Sequence, residues 1–551
     1  MQSLRTSRAA RACAVVSAAA LAAITLSSCG GDSSSKSKDP STLVVGIPGT
    51  PQGVDLDRQV GPQTWTMAAQ VYDLGAEWKR GGYPYEPAGD VDNSKVVDFT
   101  YPDVKGGQQD PMLIEKCDLT DGGKTATYHL RHDVKSGYGN EFTSKDVLYR
   151  VKRSIANKGI GDFMNHAANA ADPAQWTAVD KYTVRITSPT PMPLICEINT
   201  NMYWVFIDST EVEKHATPED PWANQWVSTH GGGFGAYTIE EWTAGQQVVM
   251  KANPNYWGGE PKIKRIIFRV VPEAANRVAL LERGDLDLAE SLSPENISSL
   301  NGKPGVAVAA VRSNQSIYGV MDNTKPPFND ARVRQAINLA LPREAIVDNV
   351  YRGMAVPWQG VIPSMYPGYE EVHAYDTDLE AAKALLSEAG HKDGFDTTLG
   401  YNAGDPVQAD VAVAIQSSLK KIGINAQLQQ QPPGPYSDLI QSKKASFGLW
   451  VDFPIQADLN YAMTLLFKSN QGGNYQNYSN SEVDKILTDC VSKVGDERIA
   501  CNGKAMPIIS KDAPIAWLAE PFFLMGLSSK VEGFGWHTTQ YYRVAGMSLA
   551  S

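Results

Sequence analysis

Few residue groups in this 551-residue chain combine types and spacing that could do chemistry. His129 and His132 are candidates for a zinc pair, but positions i and i+3 on an alternating strand point to opposite faces. No third ligand is spaced to join them. His230-Gly231-Gly232-Gly233 has the make-up of an esterase oxyanion loop, yet the chain contains no G-x-S-x-G nucleophile elbow. Asp285/Asp287 or Asp452/Asp458 could be imagined as the two acids of a glycosidase. Among 61 acidic residues such pairs arise by chance and carry little weight. The balance runs against an exported hydrolase.

The N-terminus bears a different chemistry. Arg5, Arg8 and Arg11 form a basic stretch, and Ala14 to Thr25 supply an apolar run too short to span a bilayer. Leu26-Ser27-Ser28-Cys29-Gly30 then resembles the lipobox of bacterial lipoproteins. That resemblance implies diacylglycerol on the Cys29 sulfur and cleavage just before it, so residues 1–28 read as a signal and 29–40 as a polar, Gly/Ser-rich tether. Export places the remaining cysteines, Cys117, Cys196, Cys490 and Cys501, in an oxidising compartment. Three pairings are open; nearness in sequence favours Cys117–Cys196 and Cys490–Cys501. A four-cysteine metal site would want C-x-x-C spacing, which is absent.

No other segment approaches a membrane span. Net charge is −11, and three units more negative once the signal arginines leave. Nucleic acid and anionic lipid reward basic faces, so neither is an expected partner.

Strands and helices alternate along the chain. Thr42–Ile47, Thr125–Leu130, Lys181–Thr187, Gln247–Lys251 and Ile263–Val271 have strand patterning. Asp330 should cap a helix stopped by Pro342, and Asp378 another ended by Gly390. Asp405-Pro406 reads as an N-cap with proline at the first helical position, before the apolar face Val411, Ile415, Leu419 and Ile422. A further helix is expected over Ser481–Val494. The fold class is α/β (mixed α+β) with more than one lobe.

Several stretches, in order, resemble the family 5 extracellular solute-binding proteins of ABC importers, the peptide- and nickel-binding group. They include Gly233-x-Gly235-x-Tyr237, Trp242, Gly245, Asn253-Pro254-x-Tyr256-Trp257 and Gly284-x-x-Asp287. Phe142-Thr-Ser-Lys-Asp-Val147, with Thr143 and Asp146 as a capping-box pair, adds to them. So do Pro326-Pro-Phe-Asn-Asp-Ala-Arg-Val-Arg334, the Ala382–Gly390 helix and Tyr478-Ser-Asn-Ser-Glu-Val-Asp484. Most of these residues read as structural: Tyr256 and Trp257 as strand pins, Arg332 and Arg334 as inter-element ion pairs, and the 231–235 glycines as a turn with φ > 0.

The resemblance implies a two-lobed, type II periplasmic-binding-protein-like fold that closes on ligand about a hinge. Lobe I would comprise 41–66, 182–312 and 521–551, with an inserted subdomain over 67–181, and lobe II would be 313–520. It further implies no cofactor, a monomer, an ABC permease as partner, and a small ligand for which oligopeptide is the leading class. Asp452, in Phe447-Gly-Leu-Trp-Val-Asp-Phe453, matches the aspartate that pairs with a peptide's ammonium. Trp450, Phe453 and Gly448 flank it, and Trp517 lies where the family places an aromatic on the ligand. The chain departs from the pattern in the spacing of Trp450 to Asp452, in Lys135–Glu141 and in the long Val71–Pro111 segment. A sugar, aromatic or metal-chelate solute is the alternative.

Overall fold

The computed structural model describes residues 39–84, 91, 100–105, 107–373 and 375–550. The signal stretch and Cys29 lie outside these residues. No described helix is long and apolar enough to cross a membrane.

Two large sheets organise residues 40–550. The first has seven strands in the order Tyr237–Thr243, Gln247–Ala252, Arg265–Val270, Thr42–Ile47, Leu288–Ala289, Phe523–Ser528, Val306–Val311. Thr42–Ile47 runs parallel to Arg265–Val270 and to Leu288–Ala289. The second has six, ordered Ala355–Pro357, Ile515–Pro521, Ser316–Met321, Phe447–Asp452, Phe395–Asn402, Ile424–Gln431. The chain passes from one sheet to the other over residues 312–315 and returns at Phe522. At these crossings the Ser313 hydroxyl donates to the Pro521 carbonyl at 2.7 Å.

A third sheet of four antiparallel strands joins Ile114–Thr120, Thr125–Leu130, Thr183–Thr187 and Trp176–Asp180. Thr183–Thr187 pairs with strands on both sides of it here, so this sheet runs across the expected boundary at 181/182. Helix Ser144–Asn157 packs on it, opened by the expected capping box, in which the Asp146 carboxylate accepts from Thr143 N at 2.8 Å. From that helix Arg150 and Arg153 reach Asp57 and Asp55 at 2.5–2.7 Å, with all four side chains at most 1 % exposed. Each buried charge is thus opposed, which is the condition for tolerating such a group away from water.

Several local expectations hold. Asp330 and Asp378 cap their helices by accepting from Arg332 N and from Glu380 N and Ala381 N. Both disulfides form as nearness suggested, Cys117–Cys196 and Cys490–Cys501. Others need correction. Pro406 stands outside the helix Gln408–Lys420; the Asp405 carboxylate, two residues before the N-cap Val407, accepts from Val407 N and Gln408 N. The helix expected over Ser481–Val494 ends at Asp489, because Cys490 must turn back to meet Cys501 on the next helix, Gly495–Gly503.

Arg332 pairs with its near neighbour Asp330, and among the described residues Arg334 makes no ion pair but donates to the carbonyls of Phe328, Asp512 and Ala513. Of the 231–235 glycines only Gly231 and Gly232 take positive φ. Gly233 and Gly235 serve close approach instead: a Cβ there would come within 2.6 Å of Val71 backbone atoms. The strand pins are as expected, with Trp257 Nε1 donating to Asp73 at 2.6 Å under the Arg131 guanidinium.

Candidate ligand-binding site

Alternation along Phe447–Asp452 decides what each residue can do. Phe447, Leu449 and Val451 join an apolar cluster on one face of the six-stranded sheet, which turns Trp450 and Asp452 to the other. The antiparallel partner strand sets Ser316 opposite Asp452 and Tyr318 opposite Trp450, and on its far side Tyr318 pairs with Trp517. Ser316, Tyr318, Trp450 and Asp452 therefore share one face.

Asp452 is half-buried and accepts two hydrogen bonds, from Phe453 N at 2.8 Å and from Trp450 Nε1 at 3.3 Å. Among the described residues no lysine, arginine or histidine pairs with it. Removal from water therefore dominates, and it pushes the carboxyl pKa up to about 6 despite those two bonds. Around it stand the phenols of Tyr203, Tyr318, Tyr366, Tyr461 and Tyr475, each close enough to feel its charge. Tyr475 also packs edge-on against Trp450, with centroids 5.7 Å apart. Tyr203 comes from the four-stranded-sheet side and accepts from Trp65 Nε1 at 2.5 Å. A carboxylate walled by aromatic rings and lacking a cation of its own is suited to hold an organic ammonium.

The other anticipated residues divide. Phe453 is buried against Trp65, in a ring contact made between the two large sheets. Trp517 faces the same side as Tyr318, its ladder partner, and is fully buried, with His373 at 3.9 Å and Tyr375 at 5.9 Å between centroids. Gly448 is a packing position, since a Cβ there would lie 2.7 Å from the Tyr436 hydroxyl. The tyrosines were missed because they come from five separate places in the chain; only the Ser316-x-Tyr318 alternation offered a local hint.

On the opposite face of the same strand, Val451 borders a crevice of about 740 Å³. Pro48, Gln63, Thr66 and Glu290 line it from the seven-stranded side, and Asn402, Asp405 and Pro433 from the six-stranded side. Its Glu290 carboxyl accepts from the Tyr542 hydroxyl at 2.8 Å, and burial raises its pKa to about 7.

The enzyme-like pairs are otherwise engaged. Asp458 caps a helix and binds Arg498 at 2.7 Å, while Asp287 accepts from Val44 N at 2.7 Å. His129 meets Asp118, and His132 stacks on Tyr182. No group of three potential metal-ligating residues is gathered among the described residues.

Comparison with known proteins agrees with this architecture. Residues 108–474 match the model for bacterial extracellular solute-binding proteins, family 5 Middle. The chain is 26 % identical over 497 residues to the probable D,D-dipeptide-binding periplasmic protein DdpA of Escherichia coli K12, covering 89 % of this chain and 91 % of that one. It is 26 % identical over 483 residues to heme-binding protein A of Haemophilus influenzae, covering 82 % and 86 %. The fold matches the periplasmic binding protein DppA of Helicobacter pylori, solved with the peptide STSA, at a TM-score of 0.76 and 23 % identity over 93 % of this chain and 98 % of that one. The chain belongs to the family 5 bacterial extracellular solute-binding proteins, two-lobed transport receptors of ABC importers rather than enzymes.

Proposed function

We propose that this receptor encloses an oligopeptide between its two lobes and presents it to an ABC permease, while a diacylglycerol on Cys29 holds it at the outer face of the cell membrane. The lobes in this reading follow the two large sheets, with the strands near Ser313 and Pro521 as the hinge. Ligand binds the closed arrangement better than the open one and shifts the population towards it. The observation that carries the peptide assignment is Asp452, an aromatic-walled carboxyl without a cationic partner among the described residues. A peptide amino terminus supplies that charge together with hydrogen-bond donors. Relatives whose names or structures mention peptides support the same class, and a relative named for heme binding supports the alternative of another solute.

Calorimetry on the purified receptor tests this. Peptides with free amino termini should bind near the micromolar scale, about −8 kcal/mol. Asp452→Asn should weaken them more than tenfold and leave the melting temperature of the unliganded protein nearly unchanged. Equal affinity in the variant would remove Asp452 from the site. Native mass spectrometry of the freshly isolated protein would identify the solute it carries.

A further inference from the structure

We infer that Ser316, Tyr318 and Tyr461 complete an oxygen-lined seat around Asp452 that selects a primary ammonium over an N-methylated one. This rests on the reading that Asp452 receives the ligand's cation, and it names which cation.

The three hydroxyls share an unusual condition. Ser316 Oγ, Tyr318 OH and Tyr461 OH are buried and find no hydrogen-bond partner among the described residues. Their residues are 3 %, 1 % and 6 % exposed. Buried polar groups in folded proteins nearly always have partners, because each was hydrogen-bonded to water before folding. Here three unpartnered ones gather at a single carboxylate. Ser316 stands directly across the ladder from Asp452, Tyr318 follows two residues later on the same face, and Tyr461 enters from helix Leu459–Phe467. Asp452 lowers the acidity of both phenols, placing them within its field.

Aromatic rings alone do not choose among cations, since a quaternary ammonium is held well by ring faces. Hydroxyl oxygens do choose. A primary ammonium brings three N–H donors, enough to serve Asp452 and two of the hydroxyls. Each methyl group removes one donor and pushes the nitrogen away from the oxygens. A trimethylated nitrogen would give the carboxylate no donor beyond Phe453 N and Trp450 Nε1 and would leave all three hydroxyls unpaired in a closed site, a penalty that makes polar sites strongly selective.

The probes are trialanine and its N-methyl, N,N,N-trimethyl and N-acetyl derivatives, measured by calorimetry on the whole protein at pH 7.5. Trialanine should bind at least thirtyfold tighter than its trimethyl form. In a Ser316→Ala/Tyr318→Phe/Tyr461→Phe variant that ratio should fall below threefold. Tyr461→Phe alone, the mildest change, should shift the ratio part of the way, and thermal melts confirm that each variant is folded. Equal binding of trialanine and its trimethyl form by the natural protein, or an unchanged ratio in the variants, would overturn the inference while leaving Asp452 as the cation site. Absence of binding by every probe, or undiminished binding by Asp452→Asn, would overturn the peptide reading and this inference with it.

Discussion

Phe453 and Trp65 meet edge to face, their ring centroids 5.3 Å apart and their planes at 81°. Phe453 directly follows the strand that ends in Asp452, and Trp65 lies on helix Pro62–Val71, beyond the first strand of the seven-stranded sheet. The contact therefore joins the two halves one residue from the carboxyl that is to hold the ligand. Such ring pairs contribute about 0.5–1.5 kcal/mol beyond burial. Phe453→Leu, which keeps apolar bulk without an aromatic edge, should weaken peptide binding about three- to tenfold by disfavouring the closed arrangement. Calorimetry with unchanged affinity would show that the pair does not bias closure.

Ligand binding should depend on pH through Asp452. Its carboxyl titrates near 6 in the folded, unliganded protein. Only the ionised form attracts an ammonium, so affinity should rise between pH 5 and pH 7, by about tenfold, and level off above. Binding near pH 6 should release protons, which calorimetry in buffers of different ionisation enthalpy detects. Asp452→Asn should flatten the profile; a profile of the same steepness in that variant would assign the titration elsewhere.

Glu520 offers a pH test of stability at the crossing. It is buried and accepts from Ser364 N at 3.0 Å and Ser364 Oγ at 2.5 Å, and burial raises its pKa to about 7. A carboxyl whose folded pKa exceeds its unfolded value binds more protons in the native state, so its contribution favours folding below about pH 4.5 and is lost as pH rises through 7. The melting temperature of the natural protein minus that of Glu520→Gln should accordingly fall from pH 4.5 to 8, by the equivalent of a few kcal/mol (about 3 at most). A difference that grows with pH would mean the native site prefers the ionised form.

The two disulfides should differ in weight. Cys117–Cys196 spans 79 residues and Cys490–Cys501 only 11. Loop-closure entropy puts their contributions at about 4.5 and about 2.8 kcal/mol respectively. Replacing the first pair with serines should lower the denaturant midpoint more than replacing the second. The reverse order would show that native packing around the Cys490 turn outweighs chain entropy.

What could be read ahead of the structure was what neighbours along the chain decide. Asp330, Asp378 and the Thr143–Asp146 box act on backbone amides two or three residues away, so their types and spacing suffice. The helix through Cys490 was misjudged because its end is imposed by a covalent link to another helix rather than by its own periodicity. Arg334 looked like an ion-pair residue, yet the carbonyls left at the end of the helix Met506–Asp512 take its donors. Trp450 and Asp452 were reached through the resemblance alone; the alternation of Phe447–Asp452 that sets them on one face is a feature of the folded strand. The tyrosine wall was not legible, since nothing local brings Tyr203, Tyr318, Tyr366 and Tyr461 to a common point.

The bond from Ser313 to Pro521 has a mechanical consequence. Fastening two adjacent crossings at one spot leaves swinging as the cheap motion and makes sideways slippage expensive. In the proposed hinge motion displacement would grow with distance from the fastening, so the outer edges of the lobes would travel far while Ser316, three residues from the bond, would stay nearly still. A solute anchored at this quiet end would be released by the departing wall opposite it, with its anchor left undisturbed.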